Sequence, residues 1–151
     1  MINVFAWLIF IIPLVSLFFL GQTIIRRYIS VALFVTVINT ILYSIAWEYN
    51  WWRYEESLFN WDQVTPVPII FSAYWVITIW IFRFTFRKFW VYLIVNIIAN
   101  CLFGLVLELW RKAEIYSGNM SNVTVVLIFI SLSIIIYIFQ VWYERNRSTE
   151  S

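Results

Sequence analysis

The chain has 151 residues, of which 64% are hydrophobic, 22% aromatic and only 12% charged, with a net charge of +2 and a mean hydropathy of +0.86. A soluble domain carries about a quarter charged residues, so this chain cannot clothe a water-soluble globule, and its small, dispersed positive excess excludes a nucleic-acid partner. One cysteine and no histidine exclude an intrachain disulfide and argue against zinc, haem or histidine-based catalysis, so no metal or cofactor is expected.

The bilayer is therefore the expected solvent. Backbone polar groups in lipid must be satisfied internally, and unbroken apolar runs of about twenty residues favour helices over barrel strands. The fold class expected is all-α, a polytopic transmembrane helical bundle of about five spans forming one integral membrane domain over residues 1–151.

The first span is placed at 2–25. No Lys or Arg precedes Arg26, so the basic region of a secretory signal is missing and the span is read as a mature helix. Pro13 predicts a kink within it. Arg26 and Arg27 are expected to end this span and turn the chain into the second, 28–47. That helix carries Thr36, Thr40, Ser44 and Glu48, a polar ridge recurring every four residues along one slowly drifting face.

The segment WEYNWWRYEESLFNWDQVTPVP follows. Trp47, Trp51, Tyr54, Leu58 and Trp61 have 4-3-4-3 spacing, and Glu48, Glu55 and Asp62 recur every seven on another face. This predicts an external amphipathic helix lying at the headgroup boundary, with Trp47, Trp51, Trp52, Tyr54 and Trp61 as interface anchors. A lid over a lipid-accessible pocket is the alternative use of the same face. Pro66 and Pro68 read as a helix start, opening a third span at 66–82 that Arg83, Arg87 and Lys88 close.

The fourth span, 89–110, holds a second ridge of Asn96, Asn100, Gly104 and Glu108, in phase with the first. Cys101 reads as a small packing residue. A turn at Ser117, Gly118 and Asn119 leads to the fifth span, 123–143, and a polar tail. Asn119-Met120-Ser121 and Asn122-Val123-Thr124 match the glycosylation triplet, which is too short a pattern to carry weight.

Basic residues decide the orientation. Arg26, Arg27, Arg83, Arg87, Lys88, Arg145 and Arg147 fall on one side of a five-span chain, against Arg53, Arg111 and Lys112 on the other. The positive-inside bias puts the C-terminus in the cytoplasm and the N-terminus outside, in a cell membrane. A shift of sixty residues also aligns Arg27/Arg87, Val31/Val91, Leu33/Leu93, Val35/Val95, Ile38/Ile98, Leu42/Leu102 and Glu48/Glu108. This suggests an internal two-helix repeat, 27–82 and 87–143, beside a chance likeness of two apolar helices.

Two roles are open for the ridges. Small and polar residues let membrane helices approach closely and hydrogen-bond, which makes the ridges glue. Alternatively Glu48 and Glu108 converge with Asn96, Asn100, Thr36, Thr40 and Ser44 on one ligand pocket, since intramembrane carboxylates commonly mark binding of protons, cations or headgroups. No nucleophile with a base at recognisable spacing and no phosphate-cradling loop is present, so an enzyme is not the expectation.

The Trp-rich loop leading into a Pro-started helix, and Glu108-Leu109-Trp110 late in the chain, resemble small uncharacterised multi-pass membrane proteins of Gram-positive spore-forming bacteria. The resemblance implies a bacterial cytoplasmic membrane and no particular activity. A fainter similarity is to the membrane domains of carotenoid cyclases, which place acids directly after a proline. Pro66-Val67-Pro68-Ile69-Ile70-Phe71 has none. The role expected first is non-enzymatic, assembly or sensing with a membrane-protein partner or a second copy in the lipid bilayer. Binding or transport of a small cation, proton or amphiphile between the ridges is the alternative, and an isoprenoid- or lipid-modifying enzyme the third.

Overall fold

The computed structural model describes residues 2–55 and 57–149, with the side chains of residues 2 and 3 left aside. Five helical segments form an all-α bundle: α1 (Ile2–Ser16), α2 (Gln22–Glu48), α3 (Trp75–Thr85), α4 (Phe89–Lys112) and α5 (Asn122–Thr149). Three of them, α2, α4 and α5, are long and apolar enough to cross a membrane, at 27, 24 and 28 residues. Two shorter apolar stretches, Val4–Phe19 and Ile69–Thr85, accompany them. Five crossings are thus a finer statement than helix length alone supports.

The break between α1 and α2 is not at the arginines. A 3-10 turn, Leu17–Phe19, leads to Gly21 at φ +77, and α2 starts directly after it. Glycine reaches this backbone region without steric cost, so the chain turns there, and Arg26 and Arg27 ride in the second helical turn of α2. Pro13 does lie inside α1, where Ser16 Oγ donates to the Pro13 carbonyl at 2.5 Å.

The third helix starts where its prolines predict. The Pro66 carbonyl accepts from the Ile69 and Ile70 amides at 3.1 and 3.0 Å. Ile69–Tyr74 is a π-helical turn before α3 continues regularly. Such wide turns shift the phase of everything that follows and recur at functional positions. Here the fully buried Ser72 donates to the Phe10 carbonyl of α1 at 2.5 Å, and Trp80 Nε1 reaches Ser16 Oγ at 3.0 Å.

The amphipathic helix expected across 47–61 is not formed. α2 stops at Glu48, and Arg53–Tyr54 (β1) pairs antiparallel with Tyr116–Ser117 (β2), Arg53 opposite Ser117 and Tyr54 opposite Tyr116. Trp52 and Tyr54 are 3% and 7% exposed, so burying them against the bundle outweighs laying one helical face on the membrane surface. Trp61 is the exposed member of the five expected anchors, at 71%, and its ring stacks on Phe59. Trp47 is half-buried under the Arg53 guanidinium, 4.5 Å from the ring centroid, and Trp51 is half-buried beside Tyr49. Asp62, expected on an acidic outer face, is fully buried and accepts from the Phe59 and Val67 amides at 2.9 and 3.3 Å. Its carboxylate thereby organises the loop that delivers the chain to Pro66.

Aromatic packing builds two cores, one toward each end of the bundle. At the arginine-rich end Tyr28, Phe82, Tyr92 and Tyr137 pack with Val31, Val35 and Ile79. At the β1–β2 end Tyr43, Trp52, Tyr54, Tyr116 and Phe129 pack with Ile70 and Leu107. Between them the packing gives way to polar side chains.

Candidate functional site

The buried face of α2 carries Tyr28, Val31, Ala32, Val35, Asn39, Tyr43 and Ala46. Their mixed three- and four-residue steps follow the 3.6-residue period, so the face runs straight along the helix. The ridge at Thr36, Thr40, Ser44 and Glu48 runs on the adjacent strip, about 100° away at Asn39 against Thr40. Its hydroxyls turn back on their own helix: Thr36 donates to the Ala32 carbonyl at 3.0 Å, Thr40 to Thr36 at 2.8 Å, and Ser44 to Thr40 at 2.9 Å.

The second ridge does face inward over part of its length. Asn96 is buried and Asn100 half-buried, and both border a cavity of about 150 Å³ enclosed by α2, α3, α4 and α5. Asn39, Tyr74, Thr78, Tyr92 and Ser133 supply the rest of its polar lining, between apolar walls that include Val35, Phe103, Phe129 and Leu132. Higher on the same ridge, Gly104 is in contact with α5: a Cβ there would stand 2.7 Å from Val126 Cγ2. Glu108 is exposed and accepts from Asn122 Nδ2 at 2.6 Å. Glu48 is exposed at the end of α2. Neither carboxylate borders the cavity; the polar residue that α2 contributes is Asn39, beside the apolar Val35.

The lining hydrogens are directed at helix carbonyls. Asn96 Nδ2 donates to Tyr92 at 2.9 Å, Asn100 Nδ2 to Asn96 at 2.8 Å, Thr78 to Tyr74 at 2.7 Å and Ser133 to Phe129 at 2.9 Å. The Tyr92 hydroxyl donates to the Ser133 carbonyl at 2.8 Å, tying α4 to α5. Asn39 is different. It is 3% exposed and its Oδ1 has no hydrogen-bond partner. A buried amide left unpaired costs about 1–3 kcal/mol, and in lipid no bulk water relieves it.

The cavity reaches the bundle surface between α3 and α4, where the exposed Ile77 and Ala99 border it. A line of phenols leads from it toward the β1–β2 pair: Tyr74 Oη lies 3.4 Å from Tyr43 Oη, which lies 3.3 Å from Tyr54 Oη. Burial raises the Tyr54 hydroxyl well above its ordinary range, so it stays a neutral donor and acceptor. Burial also pushes Tyr116 up to about 12, with the adjacent Arg111 pulling the other way.

Arg111 holds the β1–β2 end together. It donates to the Gly118 and Met120 carbonyls and to Asn122 Oδ1 at 3.3, 3.1 and 3.0 Å, while its guanidinium covers the Tyr116 ring. Among the described residues no three His, Cys, Asp or Glu side chains gather to hold a metal. Comparison of the chain with protein families, curated proteins and solved structures finds no match to any of the three.

Sequence reasoning missed two features. Asn39 is an amide in an apolar helix, in step with Tyr28, Val31 and Val35, and a polar residue at that depth is itself a functional signal. Arg27 and Glu144, 117 residues apart, form an ion pair at the arginine-rich end, with Arg27 Nε and Nη2 donating at 2.5 and 2.9 Å. No local pattern announces a pair at that separation.

Proposed function

We propose that this chain is a non-enzymatic, multi-pass protein of the cell membrane that binds a small polar ligand, neutral or a monovalent cation, in the cavity between α2, α3, α4 and α5. Five crossings are part of this reading. The segments Val4–Phe19 and Ile69–Thr85 lie close to the lower limit of about 17 residues for a spanning helix, and the arginine-rich end then faces the cytoplasm with the N-terminus outside.

Asn39 carries the reading. Its unpaired, buried amide borders a space of about 150 Å³, where a ligand or ordered water would supply the missing partner. The neutral oxygens of Asn96, Asn100, Thr78 and Ser133, each of which already donates one hydrogen to a helix carbonyl, suit the same occupant. The lining holds no carboxylate, which favours this occupant over a proton carrier or a divalent cation.

The test is thermal unfolding of detergent-solubilised protein across a panel of alkali-metal and ammonium chlorides, small polyols and small amides, with choline chloride as reference. A ligand at about 100 times its dissociation constant stabilises by about 2.7 kcal/mol, which raises Tm by about 5 °C or more in a chain of this size. Wild type should respond to at least one class and Asn39→Leu should not. If wild type ignores every class, and Asn39→Leu is simply more stable throughout, the amide is a structural cost and the binding reading fails.

Assembly with another membrane protein or a second copy is the second reading, favoured by α4. Only Tyr92, Asn96 and Leu107 of its 24 residues are buried, leaving a broad face that lipid or a partner must cover.

A further inference from the structure

The arginine-rich end holds a second concavity, an open cleft of about 610 Å³ between the start of α2 and the end of α5, bordered by Thr23, Arg26, Arg27, Glu144, Arg147 and Ser148. Its three arginines are not equivalent. Arg27 is fixed by its two bonds to Glu144, with Gln140 Nε2 donating to the same carboxylate at 3.1 Å and the Tyr28 and Phe86 rings 5.2 and 5.1 Å from the guanidinium. That pair cancels the one carboxylate of the cleft. Arg26 and Arg147 are exposed, and among the described residues neither has a hydrogen bond, ion pair or ring contact. Three positive charges against one negative leave the cleft at +2.

Guanidinium forks match the oxygens of a phosphate in geometry and charge. The cleft's surroundings indicate what the phosphate is attached to. The turn that delivers the chain into α2 exposes Phe18 at 87% and Phe19 at 77%, and Arg83 Nη1 donates to the Phe19 carbonyl at 3.4 Å. Two large exposed apolar rings in the turn that immediately precedes Thr23 and Arg26 suit acyl chains and give a soluble phosphate nothing to contact.

We propose that Arg26 and Arg147 bind the phosphate of an anionic phospholipid, with the Arg27–Glu144 pair as the rigid, neutral wall of the site. This is a defined site, distinct from the diffuse attraction of a basic membrane flank, and it does not depend on the central cavity.

The test compares wild type, Arg26→Gln/Arg147→Gln and the charge-matched Lys88→Gln/Arg145→Gln, each reconstituted in phosphatidylcholine bilayers containing about a tenth phosphatidylglycerol. Phosphatidylglycerol retained on extraction into mild detergent is counted by native mass spectrometry. Wild type and the charge-matched variant should each keep one molecule per chain, and the cleft variant should lose it by at least about tenfold, in keeping with the strength of two charge-assisted contacts. Equal retention in all three, or equal loss in both variants, overturns the site. Displacement of the signal by millimolar inorganic phosphate would show that the same arginines serve a soluble phosphate and would overturn the lipid assignment. Arg26→Lys/Arg147→Lys keeps the charge without the fork and should fall between; this variant decides the matter if the glutamine pair does not fold.

Discussion

Gly104 shows how one position can be decided by its neighbour across a helix contact. The Cβ of any other residue would press on Val126 Cγ2, and in a bundle whose helices share only dispersion and polar contacts, close approach is what holds them. Gly104→Leu should therefore destabilise the α4–α5 contact by about 1–3 kcal/mol, the range for overpacking, read as a lower Tm in detergent. Gly104→Ala should cost less, because the opposing atom is the end of a side chain. Ionisation sets a second residue-scale expectation. The Tyr116 phenol, ordinarily near 10, is raised to about 12 by burial, so the folded protein holds its proton where the unfolded chain has lost it. Stability at this site is constant below pH 10 and falls between 10 and 12. Tyr116→Phe should flatten that decline in a pH series of thermal melts.

The residues of the site were only partly legible in the sequence. Asn96 and Asn100 announce themselves because polar groups at the centre of an apolar helix have few excuses. Thr36 and Thr40 give the same signal yet lie outside the cavity lining, a placement that spacing alone does not reveal. Asn39 is overlooked by a four-residue ridge and found by the 3.6-residue face.

Elements defined by local pattern were read well: the long apolar helices, and the proline-started one. Elements defined by distant partners were not. Trp47 to Trp61 has helical spacing, but the two-residue strand inside it exists because Tyr116–Ser117 is there to receive it, and a period within one segment contains no information about the other. The π-helical turn at Ile69–Tyr74 is equally silent in the sequence. The β1–β2 pairing can be broken at one atom. Gly118 has φ +138, and a Cβ on it would collide with the Trp51 backbone. Gly118→Val should part β1 from β2, release the Asn119–Asn50 and Met120–Trp51 backbone bonds, and expose Trp52. Faster hydrogen exchange over 50–55 and 115–120, with the arginine-rich core unchanged, is the expected result.

At the scale of the whole molecule, two aromatic cores bracket a polar waist, so each end can be loosened without the other. The proposed five-crossing arrangement also implies which loops share a side of the membrane. With the wild-type Cys101 replaced by Ser, Ser117→Cys and Thr149→Cys should react with a membrane-impermeant maleimide from opposite faces of sealed vesicles, Ser117→Cys from outside in right-side-out vesicles. Labelling of both from one side would refute the five-crossing arrangement. Cys101 itself is exposed on α4; in the proposed arrangement it faces lipid and should stay unlabelled until detergent is added.

The β1–β2 pairing also has a consequence for how the protein is made. Arg53 finds Ser117 only after the intervening chain has left the ribosome, which at about 5–20 residues per second takes several seconds. During that interval Trp52 and Tyr54 are synthesised but have no Tyr116 to pack against. In the proposed membrane setting they wait at the bilayer surface, where aromatic rings are well tolerated. Closure of the β1–β2 end is thus a late event of biogenesis, completed when the fourth helix is in place, and a nascent chain stalled before Tyr116 should present those two rings to proteases and chaperones that the finished protein evades.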